Sequence, residues 1–152
     1  MRFGLGPLGL APPGLSGPAG VAALLALAER AEALGLDSFW LHERHFSEPG
    51  SLPSPFVLGA AVGARTRRLR IGVCATVTLA HPLRVAEDLA VLDVLTDGRA
   101  MFSPMRGFRA QEFAAFGVVA RTKYGRFTTA LRTIRAAWRN EASAMAGDVD
   151  GA

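Results

Sequence analysis

Four short apolar runs with β-strand character alternate with amphipathic helical stretches, and this alternation limits the fold more than any other feature of the chain. The runs are residues 1–10, where Phe3 and Leu5 alternate with small residues before a Gly/Pro-rich loop, then the run that opens at Asp37, Leu69–Val77 and Arg99–Ser103. Between the first two, Val21, Leu24, Leu25 and Ala28 recur at i, i+3, i+4 and i+7, one apolar face of a helix. Val57, Leu58, Ala61 and Val62 give a second helix its buried face, and Val85, Leu89 and Leu92 give a third. Strand and helix in strict alternation mean βαβ units, a parallel sheet and right-handed crossovers. Four such units make either a small open α/β sheet or one half of an eight-fold barrel. Periodicity does not separate the two.

Local punctuation agrees with these spans. Ser16-Gly17-Pro18 and Ser54-Pro55 each combine a capping residue with a proline in the first turn, where its missing N–H costs nothing. Gly35 is placed to end the first helix in the left-handed region, and Asp97-Gly98 to close the third with a turn. After the fourth strand the sequence predicts a loop over 104–109 and a short helix from Gln111 to Phe116, stopped by Gly117. A long helix from Thr122 to Arg139 follows, with Phe127, Leu131, Ile134 and Trp138 as a core-facing stripe. Residues 1–139 read as one domain. Residues 140–152 carry no periodicity and read as a disordered tail.

At 152 residues and 16.0 kDa, with half the residues hydrophobic, the chain is long enough for one ordinary core. Its apolar runs are interrupted well before membrane-spanning length. Met1-Arg2-Phe3-Gly4 does not open an apolar signal region. Cys74 is the only cysteine and has no internal disulfide partner, so a reducing cytoplasm is expected. The net charge of +4 permits nucleic-acid binding in principle, but the arginines scatter among acidic residues. The one dense cluster, 65–70, has no interleaved aromatics, so no nucleic-acid partner is expected. The chain has no dinucleotide fingerprint, no P-loop and no nucleophile elbow, and its three histidines lack metal-site spacing.

Chemistry concentrates in Asp37-Ser38-Phe39-Trp40-Leu41-His42-Glu43-Arg44-His45-Phe46. An apolar strand there ends in a carboxylate, a guanidinium and two imidazoles. Strand ends of α/β folds open into ligand-binding loops, so the stretch reads as a site. The alternative is a solvated loop whose charges do no chemistry.

Together with His81-Pro82-Leu83-Arg84-Val85-Ala86-Glu87-Asp88, Leu92-Asp93-Val94-Leu95-Thr96-Asp97-Gly98-Arg99 and Met105-Arg106-Gly107-Phe108-Arg109-Ala110-Gln111-Glu112-Phe113, the stretch resembles the luciferase-like flavin-dependent monooxygenase family. The resemblance implies the first four βα units of a TIM-type (β/α)8 barrel. It also implies reduced FMN, or in one branch the deazaflavin F420, as cofactor, and O2 as oxidant of a small organic substrate. Whole barrels take about 250 residues, so the chain reads as an N-terminal half. It is a truncated product, a piece of a split protein, or a half barrel that closes by pairing. Implied partners are a second copy or a second half-barrel, and an external flavin reductase. The alternative function is a non-catalytic half-barrel acting as an assembly subunit.

By the same resemblance His45 takes a proton-transfer role. Arg44 stands where many members have a first histidine; it is no base near neutral pH but can stabilise an anion. The alternative for His45 is an imidazole that only holds neighbouring backbone together. Cys74 and Ala75 are assigned to the flavin ring floor. Met105 and Arg106 are further cofactor contacts, with the Arg106 fork suited to the phosphate. Ser103-Pro104-Met105 departs from the family's glycine-rich stretch: Pro104 removes a donor at the strand end, and Met105 adds bulk toward the ring.

Overall fold

The computed structural model describes residues 1–7, 17–46 and 51–140. Its elements are β1 (Gly4–Leu5), α1 (Gly17–Ala33), β2 (Ser38–His42), α2 (Pro55–Arg65), β3 (Arg70–Thr76), α3 (Pro82–Leu95), β4 (Ala100–Met105), α4 (Ala110–Ala115), a 3-10 turn (Ala120–Thr122) and α5 (Lys123–Trp138). The four strands form one sheet in the order β1-β2-β3-β4, so chain order is also spatial order. β1 pairs with β2 and β2 with β3 in parallel, with Gly4 beside Ser38, Trp40 beside Gly72 and His42 beside Cys74. The alternation expected from the sequence is what folds. Ser16 and the 141–152 part of the expected disordered tail lie outside the described residues.

Two compact units divide the chain: Met1–Ala75 with Val91–Ser103, and Thr76–Ala90 with Pro104–Ala152. In the first unit, Leu24, Ala28 and Ala31 of α1 and Val62 of α2 pack on Phe39 and Leu41 of β2 and Ile71 of β3. Side chains alternate across a strand, so odd-numbered positions of β2 and β3 face these helices. Leu69 and Leu52 complete the cluster, and every residue of it is at most 2% exposed.

The second helix buries a different face from the one its apolar residues suggested. Val57 is 70% exposed, whereas Pro55, Gly59, Val62 and Gly63 are buried. The two glycines explain the rotation. A Cβ on Gly59 would stand 3.3 Å from Leu92, and one on Gly63 would press on the Thr96 methyl. Their missing side chains let α2 approach the end of α3 within this unit, and a hydrophobicity pattern does not register that. Ser54 precedes α2 as expected, but its side chain makes no capping bond. Gly35 does end α1 at φ +78°, with Leu36 N–H reaching Ala31 O (3.0 Å) and Gly35 N–H reaching Glu32 O (3.0 Å), a Schellman closure. Asp97 and Gly98 both adopt positive φ in the turn after α3.

β4 runs two residues further than expected, through Pro104 to Met105, so the loop begins at Arg106. β4 stands at the end of the strand order, and an edge strand is where a proline without N–H is tolerated. In the second unit, Val77 N–H donates to Met105 O (3.1 Å) and the Thr78 hydroxyl to Arg106 O (2.9 Å). Trp138, expected in the core, is 49% exposed; its indole N–H still donates to Ala86 O (3.2 Å). Ala130, Thr133, Ile134 and Ala136 are the buried face of α5.

Two side chains fasten the lower end of the first unit, where strands begin. The Glu32 carboxylate accepts the N–H groups of Arg67, Arg68 and Leu69 at 2.6–3.1 Å, covering donors ahead of β3. Arg99 donates to Thr96 O (2.7 Å), Leu69 O (2.8 Å), Gly63 O (3.0 Å) and both oxygens of Thr66. That fork joins the end of α2, the start of β3 and the turn after α3. Replacing Arg99 with Ala leaves several carbonyls short of a donor and is expected to cost about 2–4 kcal/mol in urea unfolding. Arg99→Lys recovers only part of this, because an ammonium lacks the planar fork. A loss under ~0.5 kcal/mol for Arg99→Ala contradicts the clamp.

Burial pushes the Glu32 carboxyl up, but the Arg68, Leu69 and Arg67 amides with the Arg68 charge outweigh it and hold the pKa below the ordinary 4.5. A carboxylate depressed on folding contributes stability above its unfolded pKa and loses it as pH falls through the folded value. Thermal unfolding of wild type is therefore expected to lose midpoint temperature below pH 4.5. Glu32→Gln should lower the midpoint at pH 7 and weaken that acid dependence. An unchanged acid limb in the variant would show that the carboxylate is not the titrating group.

Candidate active site

Beyond β2 the pairing with β3 continues by one bond, Glu43 N–H to Cys74 O at 2.8 Å. Arg44 then forms an isolated antiparallel bridge with Leu52, N–H to O at 3.0 and 2.9 Å in the two directions. Leu52 is fully buried, so the bridge anchors the chain just past the strand. Phe46 turns at φ +49°. Between these anchors His45 is 8% exposed, with Nε2 at 2.9 Å from Glu43 Oε1. A carboxylate on one ring nitrogen fixes the imidazole's orientation. Arg44 is half-buried, and its side chain has no hydrogen-bond or ion-pair partner among the described residues.

Even-numbered positions of β2 and β3 occupy the sheet face turned away from α1 and α2. Trp40 lies against Gly72 there, its indole filling the space a side chain at 72 would take, and its N–H donates to the Ser38 hydroxyl (3.0 Å). One pair further along, His42 is exposed beside Cys74, with its Cε1 3.1 Å from where a Cβ on Gly6 would stand. Cys74 and Ala75, each 4% exposed, are the last residues of β3 in this unit; they alternate in direction, Cys74 with His42 and Ala75 with the helix-facing set. Burial pushes the Cys74 thiol up, against a smaller opposing hydrogen bond with Ser103, so it stays a neutral thiol.

The second unit holds the other sequence candidates. Met105 is half-buried at the end of β4. Arg106 is exposed, with its guanidinium carbon 4.9 Å from the Tyr124 ring centre and 6.0 Å from that of Phe127. No carboxylate pairs with it among the described residues. Gly107 at φ +72° lets the chain turn against Thr76 and Phe113. A cavity of about 640 Å³ lies within this unit, lined in part by Val77, Leu79, His81, Phe116, Arg126 and Thr133. Arg126 donates from Nε to Thr78 O (3.0 Å), which fixes its position at the wall.

The chain matches the luciferase-like monooxygenase family over residues 1–150. It belongs to that family. An alkanal monooxygenase alpha chain from the Kryptophanaron alfredi symbiont is 37% identical over 118 residues, 77% of this chain and 33% of that relative. The corresponding chain of Aliivibrio fischeri is 34% identical over 119 residues, 78% of this chain and 34% of its own length. Among solved structures, a monooxygenase from Streptomyces bottropensis superposes with TM-score 0.86 at 33% identity, covering 91% of this chain and 43% of that one. The oxygenating constituent of the 3,6-diketocamphane monooxygenase of Pseudomonas putida, in complex with FMN, has the same fold: TM-score 0.85, 20% identity, 91% and 39% coverage. This luciferase-like chain thus spans about a third of the length of its curated relatives, and its four βα units are the first four of their (β/α)8 barrel.

The family pattern singled out His45 and Arg44 and passed over His42 and Trp40. The i, i+2 spacing of Trp40 and His42 was a usable signal, because it assigns both to one sheet face. Arg126 had no such signal beyond lying off the apolar stripe of its helix. One consequence of the Trp40–Gly72 fit is directly measurable. Gly72→Ala must displace the indole and is expected to destabilise by about 1–3 kcal/mol, with a shift in tryptophan emission. Gly125→Ala, in a helix with open space around the site, should be neutral or stabilise by up to ~1 kcal/mol. Equal effects from the two substitutions would contradict the packing described.

Proposed function

We propose that this chain is the flavin-binding N-terminal half of a luciferase-like monooxygenase that oxidises a small organic substrate with O2. The observation that carries the reading is the strand-end face of β2 and β3 in a member of this family: an exposed imidazole, an indole over glycine, and a buried thiol, with an oriented His45–Glu43 pair just beyond. Aromatic and small side chains suit a planar ring, and a few placed polar groups fix its orientation. Reduced FMN is the proposed cofactor, as in the FMN complex of the Pseudomonas putida relative, with the deazaflavin F420 as the alternative.

A bound reduced flavin supplies the electrons and the site of oxygen activation; the protein's part is to bind, orient and exclude water. His45, held by Glu43, is assigned the proton-transfer role, since a carboxylate-oriented imidazole can both hold and release a proton. Arg44, without a carboxylate partner among the described residues, offers fixed positive charge for a developing anion. Cys74, on the His42 face, serves as floor rather than a reactive group, consistent with a neutral buried thiol, whereas Ala75 turns to the helix-facing side and does not line that face. In the second unit, family likeness assigns Met105 to the cofactor and Arg106 to its phosphate. The exposed Arg106 fork, parked on Tyr124 and unpaired with any described carboxylate, suits that task.

Edge strands β1 and β4 present backbone groups for a second half-barrel or a second copy of the chain, the partner assigned here. An external reductase would supply the reduced flavin. No described helix is long and apolar enough to cross a membrane, and a lone buried thiol suits the cytoplasm assigned here.

Anaerobic titration with reduced FMN, oxidised FMN and reduced F420 tests the proposal. Saturable binding of one reduced cofactor at sub-millimolar Kd is expected, weakened about tenfold by Arg106→Ala, which is the loss of one charge-assisted contact. Absence of binding by all three at millimolar concentration would sink it.

A further inference from the structure

The three histidines differ in what they already touch. His45 is buried and paired with Glu43. His81 Nδ1 accepts the Leu83 N–H (3.3 Å) at the start of α3. His81 is exposed too, but only His42 combines exposure with no hydrogen-bond or ion-pair partner among the described residues. It is nevertheless not a loose surface side chain. It is the last residue of β2, locked in register with Cys74, and its ring rests against the backbone at Gly6, where no Cβ intervenes. The same face carries Trp40 over Gly72.

We propose that His42 is a cofactor-contacting residue of this chain, its ring nitrogens free to hydrogen-bond the heteroatom edge of the bound flavin ring. The inference rests on the flavin reading above and adds to it a group that the family pattern does not single out. An imidazole presents one N–H donor and one lone pair, or two donors when protonated. A flavin edge alternates carbonyl oxygens with ring nitrogens, and the reduced ring carries more negative charge there, so a donor at this position binds the reduced form more tightly. His42 sits on a strand rather than a loop, so little ordering is needed when a ligand arrives. By contrast, His45 has its Nε2 committed to Glu43.

The test uses the wild-type chain with His42→Ala, His42→Gln and His45→Gln, each first shown to unfold at a comparable temperature. Titration with reduced and oxidised FMN is followed by the flavin's own visible spectrum. His42→Ala should weaken reduced FMN about tenfold, weaken oxidised FMN less, and alter the bound-flavin spectrum. His42→Gln should recover part of the loss, since an amide also donates and accepts. Carbethoxylation by diethyl pyrocarbonate, located by mass spectrometry, gives an independent readout: FMN should protect His42. If wild type binds FMN while His42→Ala binds it equally with an unchanged spectrum, and His42 is not protected, the inference is overturned and the flavin reading stands. If wild type binds neither FMN nor reduced F420 at millimolar concentration, both are overturned.

Discussion

In the pairing of β2 with β3, Trp40 lies beside Gly72 and His42 beside Cys74, while Phe39 and Leu41 turn to the helices with Ile71 and Val73. Everything the first unit can offer a ligand depends on that register. A slip of one residue would send the imidazole and indole into the α1–α2 core and bring Phe39 and Leu41 to the other face. Burial of the odd-numbered set resists such a slip. Each fully buried large apolar side chain contributes roughly 1.5–3 kcal/mol, and Phe39, Leu41 and Ile71 are all fully buried. The core thus holds the site in place without contributing a side chain to it.

The two ends of the strands have separate tasks. At their beginnings, Glu32 covers three backbone donors and Arg99 satisfies carbonyls from α2, β3 and the turn after α3. These contacts close backbone groups, as expected of the stability face of a barrel. At their ends, Glu43 N–H to Cys74 O and the Arg44–Leu52 bridge carry the chain past the sheet to the His45–Glu43 pair. The family likeness gives this division a context: the chain supplies the first four of eight units, and with them the first strand ends of the barrel's mouth.

Much of this was legible before any coordinates. The strand–helix alternation, the Gly35 cap, the Asp97-Gly98 turn and the proline at the start of α2 each follow from local chemistry that tertiary packing did not override. The misreadings share a cause. Periodicity points Val57 to the core while Gly59 and Gly63 are the buried positions, because hydrophobic periodicity scores side chains and is blind to contacts made possible by their absence. Pro104 was read as a strand terminator, though an edge strand accommodates it. Trp138 was read as buried for its size, though an indole needs only its N–H satisfied and one face covered. At the site, the sequence motif drew attention to His45, whose position and Glu43 partner the fold then supplied. It gave no hint that His42 would stand exposed over Gly6, which only the strand parity and the β1–β2 pairing determine.

The central claim is that the glycine-floored face of β1, β2 and β3 receives the redox ring. Backbone and indole resonances of the isotopically labelled chain, recorded with and without FMN, address it most directly. The account predicts shifts concentrated on the Trp40 indole N–H and the amides of Gly4, Gly6, His42 and Gly72, with the helix-facing Leu24, Ala28 and Val62 unmoved. FMN binding that leaves Trp40, Gly6 and Gly72 unchanged while shifting resonances elsewhere would contradict it.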